Sequence, residues 1–87
     1  MDIREDIELL EKNRDIIQNL DKEILKLLEM RVDAAKVIGN IKKKSNKPIY
    51  VPEVEKRKIE ALSAECCYPG LVEAIWPVIM CYTRTAE

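Results

Sequence analysis

Arg14, Arg31 and Lys42 stand where the stripe of a long helix should be apolar. Stepping alternately four and three residues from Ile3 gives Ile3, Ile7, Leu10, Arg14, Ile17, Asp21, Ile24, Leu28, Arg31, Ala35, Ile38 and Lys42. This is a seven-residue repeat whose seam is apolar except at Arg14, Asp21, Arg31 and Lys42. A charge buried on such a seam is costly unless something pairs with it. Asp21 can answer only one of the three cations, so the seam calls for an anion that it lacks. Arg31 and Lys42 are eleven residues apart, hence ~16 Å along the axis and nearly in phase, so their long side chains could grip a small anion between them. Arg14 lies seventeen residues, or ~25 Å, from Arg31. One small molecule cannot touch both from a single chain. The plain alternative is that such cations snorkel, or pair with a carboxylate of another chain.

The elements that would position these residues are three helices. Helical periodicity runs from about Ile3 to Lys44 without a proline, and Gly39 is its one weak point. Ser45-Asn46-Lys47-Pro48 reads as a break, and Ile49-Tyr50-Val51 as a short extended connector. Pro52 suits the first turn of a second helix, reinforced by Glu53 and Glu55 at its positive end. That helix carries Glu55, Ile59, Leu62 and Cys66 on one side and fades near Cys67. Tyr68-Pro69-Gly70 punctuates, and a third helix runs from near Leu71 to about Thr85. Its apolar set is Leu71, Val72, Ile75, Trp76, Val78, Ile79 and Tyr82, and Pro77 inside it predicts a bend or a displaced start.

Lengths then predict the assembly. A helix of about 40 residues is ~60 Å long, whereas a compact domain of 87 residues is ~30 Å across. The two shorter helices cannot cover the long seam, so a second copy of the chain is expected to, as an intertwined homodimer. Residues 1–87 would form one all-α domain. Dimer symmetry would then give two equivalent pockets, with Arg14 acting in the partner's.

Composition narrows the chemistry. Fifteen basic and sixteen acidic residues, well mixed for a net charge of −1, give no electrostatic case for nucleic acid or an anionic membrane. Lys42, Lys43, Lys44 and Lys47 lack interleaved aromatics and read as a solvated helix end. No apolar run approaches a membrane span, and Met1-Asp2-Ile3-Arg4-Glu5-Asp6 is too polar to open a signal peptide. Cys66, Cys67 and Cys81 have no zinc spacing and no evident activating partner, so they read as small buried or half-buried hydrophobes in a reducing cytoplasm. With no histidine in the sequence, His-based acid–base chemistry is excluded, and no metal or cofactor is expected.

Five fragments occur in order: Arg14-x-x-Ile17-x-x-Leu20-Asp21-x-x-Ile24, Leu27-Leu28-x-x-Arg31, Gly39-x-x-Lys42, Pro48-Ile49-x-x-Pro52-Glu53-x-Glu55 and Ile79-Met80-x-x-Thr83-x-x-x-Glu87. Together they resemble the all-helical (AroQ-type) chorismate mutases. The resemblance implies a dimer of three-helix chains whose long first helices are shared between two active sites. It also implies rearrangement of the dianion chorismate to prephenate, within aromatic amino-acid biosynthesis. Electrons there move around a six-membered ring, so the reaction requires no nucleophile, proton shuttle or metal. Catalysis is positioning plus stabilisation of charge growing on the ether oxygen. By the resemblance, Arg31 and the partner's Arg14 hold the two carboxylates, and Lys42 reaches a carboxylate and the ether oxygen. Glu55 accepts from the substrate hydroxyl, Thr83 supports carboxylate binding, and Glu87 lies beside the ether oxygen.

Read on residue type alone, Glu55 is equally a first-turn charge, Thr83 a plain helix residue, Glu87 a frayed carboxylate, Asp21 an internal partner for a cation and Trp76 dimer core. Two departures from the family pattern stand out. Where Asp-Pro-Glu-Arg-Glu is common, this chain has Val51-Pro52-Glu53-Val54-Glu55, which removes an acid near the substrate hydroxyl and a fourth site arginine. Arg57, one turn on, is a candidate to compensate. Glu87 takes a place where glutamine is frequent. Valines 51 and 54 weaken a mutase pocket around the ring substituent. They leave open an isochorismate pyruvate-lyase or a 4-amino-4-deoxychorismate mutase on the same fold, or a non-catalytic dimerisation or regulatory module derived from it.

Overall fold

The computed structural model describes residues 2–87 and holds three helices: α1 (Ile3–Lys44), α2 (Pro52–Glu65) and α3 (Leu71–Ala86). No strand occurs among the described residues. Two compact units divide the chain, one ending at Arg31 and the other comprising Val32–Glu87.

The first unit is the N-terminal part of α1. Asp2 caps it: its carboxylate accepts the backbone N–H of Arg4 at 3.2 Å and its carbonyl that of Asp6 at 3.1 Å. Glu5 and Asp6 in the first turn complement the helix dipole. Its seam residues are exposed: Ile3, Ile7, Leu10, Ile17 and Ile24 each keep half or more of their surface.

In the second unit, α1 ends in a tight cap. Asn46 adopts the left-handed conformation with φ 56°, Lys47 N–H donates to the Lys42 carbonyl at 2.8 Å, and Asn46 N–H to that of Lys43 at 3.4 Å. This pair of bonds is a Schellman closure with asparagine in the usual glycine place. Val51 then starts α2 as an extended residue (φ −125°) with no side-chain cap, and its carbonyl serves the N–H groups of Val54 and Glu55. The four residues expected on one side of α2, Glu55, Ile59, Leu62 and Cys66, are all half-buried. The helix ends at Glu65, slightly before the expected fade.

Helix α3 begins at Leu71 and continues through Pro77. The expected displaced start is therefore absent. Proline cannot donate to the Glu73 carbonyl, so the helical ladder lacks that one bond while α3 continues past it. Val72, Met80 and Thr83 are buried and Trp76 and Ile79 half-buried, which defines one face of α3; it packs against α2. Leu71, Ile75, Val78 and Tyr82, at steps of four, three and four, form a second apolar stripe that stays exposed. The Ser63 hydroxyl donates to the Glu73 carboxylate and ties the end of α2 to the start of α3.

On α1 the buried positions are Ala35 and Gly39, whereas Ile38, the residue expected on the seam, is 48% exposed. A 3.6-residue helix drifts off a strict seven-residue repeat, and the drift here brings Gly39 inward. Cys66 is half-buried, but Cys67 and Cys81 are exposed, contrary to the expectation of three sequestered thiols. Both lie beyond the faces that α2 and α3 bury.

Candidate active site

Four of the six expected site residues belong to the second unit. Lys42 is half-buried, and its ammonium donates to the Ile49 carbonyl at 3.2 Å. The same residue's own carbonyl closes the α1 cap, so backbone and side chain of Lys42 are both anchored to the connector. Thr83 is buried at 8% exposure, with its hydroxyl donating to the Ile79 carbonyl at 2.8 Å. Glu87 caps α3, its N–H donating to the Thr83 carbonyl at 3.0 Å. It also lies against Gly39, three residues before Lys42 on α1, where a built β-carbon would come within 2.9 Å of the Glu87 Cβ. The end of α3 thus brings Thr83 and Glu87 together, and sets Glu87 against α1 at Gly39, one turn before Lys42.

Glu55 stands in the first turn of α2 and is paired. Nη1 of Arg84 lies 2.5 Å from its Oε1 and 2.6 Å from its Oε2. The Arg84 guanidinium carbon sits 4.3 Å from the centroid of the Tyr50 ring. The bond to Glu55 raises the pKa of Arg84 further above its ordinary value, against a smaller opposing effect of desolvation. Neither Arg84 nor Tyr50 was marked by motif or spacing. Arg84 and Glu55 are 29 positions apart and meet only once α2 and α3 have packed. Arg57, the expected compensating cation, is exposed, so the cation beside Glu55 is Arg84. An open groove of about 680 Å³ borders Glu55, with Tyr50, Pro52, Ile59, Ser63 and Glu73 among its other walls.

Arg14 and Arg31 lie on the first unit's helix. Arg14 is exposed and Arg31 half-buried. Their separation of seventeen residues, ~25 Å of helical rise, is too great for joint contact with one small molecule. Asp21 is exposed, as is Val54 at 52%, and Val51 is half-buried. Among the described residues no cluster of three or more His, Cys, Asp or Glu could hold a metal ion, and no helix is long and apolar enough to cross a membrane.

What this arrangement offers is fixed charge: an anchored ammonium, a carboxylate clamped by a guanidinium, and a buried hydroxyl. Such an array is chemically able to hold and orient a polar ligand without itself supplying a nucleophile.

Comparison with known proteins agrees. The family described as "Chorismate mutase type II" matches residues 13–87. The chain is 46% identical over 56 residues to a "Bifunctional chorismate mutase/prephenate dehydratase" of Aquifex aeolicus (strain VF5), covering 64% of this chain and 16% of that protein. It is 33% identical over 81 residues to a "T-protein" of Enterobacter agglomerans, covering 85% of this chain and 21% of that protein. The chain thus spans about a fifth or less of the length of these curated relatives. No solved structure gives a significant match. The match runs from just before Arg14 to Glu87, through every residue of the candidate site, and on that basis the chain belongs to the chorismate mutase type II family.

Proposed function

We propose that this chain is a chorismate mutase, an isomerase that rearranges chorismate to prephenate in aromatic amino-acid biosynthesis. The observation that carries the reading is the family match, which spans Arg14, Arg31, Lys42, Glu55, Thr83 and Glu87 together. The reaction breaks the ether C–O bond and forms a C–C bond in one cyclic shift of electrons. The protein's task is to hold the dianion compact and to meet charge on the ether oxygen. In this reading Arg31 and the Arg14 of a second copy grip the carboxylates, where a guanidinium bonds in bidentate fashion. Lys42 addresses a carboxylate and the ether oxygen, Glu55 accepts the ring hydroxyl, Thr83 supports a carboxylate and Glu87 approaches the ether oxygen.

A homodimer with shared sites belongs to the same proposal. Its support is the apolar surface a single chain leaves uncovered: the seam from Ile3 to Ile24 on α1, and the stripe Leu71, Ile75, Val78 and Tyr82 on α3. Three free thiols favour a reducing, cytoplasmic setting. Balanced charge gives no support to nucleic acid or anionic membranes as partners.

Purified protein mixed separately with chorismate, isochorismate and 4-amino-4-deoxychorismate, with products identified chromatographically, tests the reading. Prephenate from chorismate is the expected result. Turnover confined to one of the other two would transfer the assignment to that substrate, whose ring substituent would then account for Val51 and Val54. No turnover of any of the three would leave a non-catalytic module.

A further inference from the structure

The mutase reading gives Glu55 a precise duty, to receive the substrate's ring hydroxyl, and the structure shows what holds Glu55 still. Arg84, in the last turn of α3, places Nη1 within 2.5 and 2.6 Å of the two Glu55 carboxylate oxygens. Its guanidinium lies over Tyr50 of the connector, 4.3 Å from the ring centroid. Three elements therefore meet in one contact: the connector, the first turn of α2 and the last turn of α3. The side chains of Arg84 and Glu55 are 30% and 24% exposed, so the pair is only partly open to solvent.

The geometry distinguishes this contact from an ordinary surface ion pair. A planar guanidinium resting on an aromatic face has its orientation set by the ring as well as by the anion. Both bonds to Glu55 leave from one nitrogen, so each carboxylate oxygen keeps lone-pair capacity for a second donor. A carboxylate on a flexible stem would have to be ordered each time a ligand binds, at a cost in side-chain entropy. The clamp orders it beforehand. Position 54, where the family pattern carries an arginine, is an exposed valine on the same turn of α2.

We infer that Arg84, seated on Tyr50, is the positioning residue for Glu55: it fixes the carboxylate that receives the substrate hydroxyl. The inference rests on the mutase reading, but the two fail in different ways. Arg84 acts through Glu55, so its removal should be felt only by a substrate that carries the hydroxyl.

The experiment compares wild type and Arg84→Met on chorismate and on an analogue whose ring hydroxyl is replaced by hydrogen, with thermal melting of each protein. Loss of an oriented charge-assisted contact should lower kcat/KM for chorismate by roughly tenfold to a hundredfold. Most of that loss should appear as a raised KM, because the hydroxyl is not a reacting group. Turnover of the analogue should change by less than about threefold. Arg84→Lys keeps the charge but not the planar group that rests on Tyr50, and should show the same selective loss at smaller size. It also provides the measurement if Arg84→Met does not fold. Equal losses on both substrates, or no loss on either, would overturn the positioning role while leaving the mutase reading standing. A wild-type protein that converts neither compound would overturn the mutase reading, and this inference with it.

Discussion

Gly39 on α1 and Glu87 at the end of α3 are in backbone-close contact: a β-carbon at position 39 would lie 2.9 Å from the Glu87 Cβ and 3.0 Å from its Cα and carbonyl oxygen. Lys42 follows Gly39 by one turn, so the absence of one methyl group lets the end of α3 lie against α1 one turn from Lys42. Gly39→Ala should raise helix propensity by up to about 1 kcal/mol and lose that gain in displacing Glu87. The expected outcome is a nearly unchanged melting temperature with a fall in kcat of about tenfold or more. A variant of full activity would show that the position of Glu87 is immaterial.

Glu87 itself yields a substitution prediction. An ether oxygen gaining negative charge needs a hydrogen-bond donor, which a side-chain amide supplies. Glu87→Gln should therefore preserve or raise the rate at pH 7. A rate that neither Glu87→Gln nor Glu87→Ala changes would remove Glu87 from the catalytic set.

The α2 helix starts at Val51 without any side-chain cap. Val51→Asp would place a carboxylate oxygen within reach of the first free N–H groups and add negative charge at the positive end of the helix. About 1 kcal/mol of stabilisation follows from ordinary N-cap energetics. The gain should be measurable as an upward shift in the denaturation midpoint. The same change restores the acid that the family pattern places near the substrate hydroxyl, so tighter chorismate binding should accompany it.

The latch between Ser63 and Glu73 carries its own acid dependence. The Ser63 hydroxyl and then the backbone N–H of Glu73 hold its carboxyl below the ordinary value of 4.5, against a smaller effect of desolvation. A depressed carboxyl favours the folded state above the unfolded-state pKa, and that contribution is lost as pH falls through the lower folded-state value. Ser63→Ala should therefore lower the melting temperature slightly at pH 7, and the difference should shrink as the solution is acidified below the ordinary carboxylate range. A constant difference across that range would show that the hydroxyl acts through packing instead.

Sharing of the site between two chains is testable by mixing. Arg14→Ala and Arg31→Ala homodimers should each be nearly inactive, with losses of a hundredfold or more expected from removing a bidentate carboxylate contact. Unfolding the two together and refolding should restore activity, since a heterodimer rebuilds one intact pocket. If the variants exchange subunits and no activity returns, Arg14 does not work across an interface.

Helix boundaries were legible in the sequence because they depend on local signals: the proline-free repeat from Ile3, the Ser45–Pro48 break and Pro52 at the start of α2 all lie where the structure has them. The inward side of α2 was legible for the same reason, since four residues at helical spacing need no tertiary information. Gly39 read as a flaw in a helix, because nothing local indicates that Glu87, 48 positions later, must approach it. The partnership of Glu55 with Arg84 was hidden by the same long range, and Arg57 looked suitable only because it is near in sequence. At Ile38 the seven-residue repeat and the positions buried within one chain part company, since Gly39 is buried and Ile38 is 48% exposed. A fixed repeat of seven drifts against a 3.6-residue helix, and over the length of α1 that drift amounts to about one residue.

The closure at Asn46 makes the seven residues between α1 and α2 an elbow of fixed angle, since Lys42 grips it at Lys47 through its carbonyl and at Ile49 through its ammonium. The turn between α2 and α3 is built differently: Tyr68 is 70% exposed, and Gly70, at φ 83°, faces open space. An engineer who wishes to splice a tag, a fluorophore or a second domain into this protein should cut beside Pro69. A cut in the elbow would uncouple Lys42 from its setting, even if all three helices still formed.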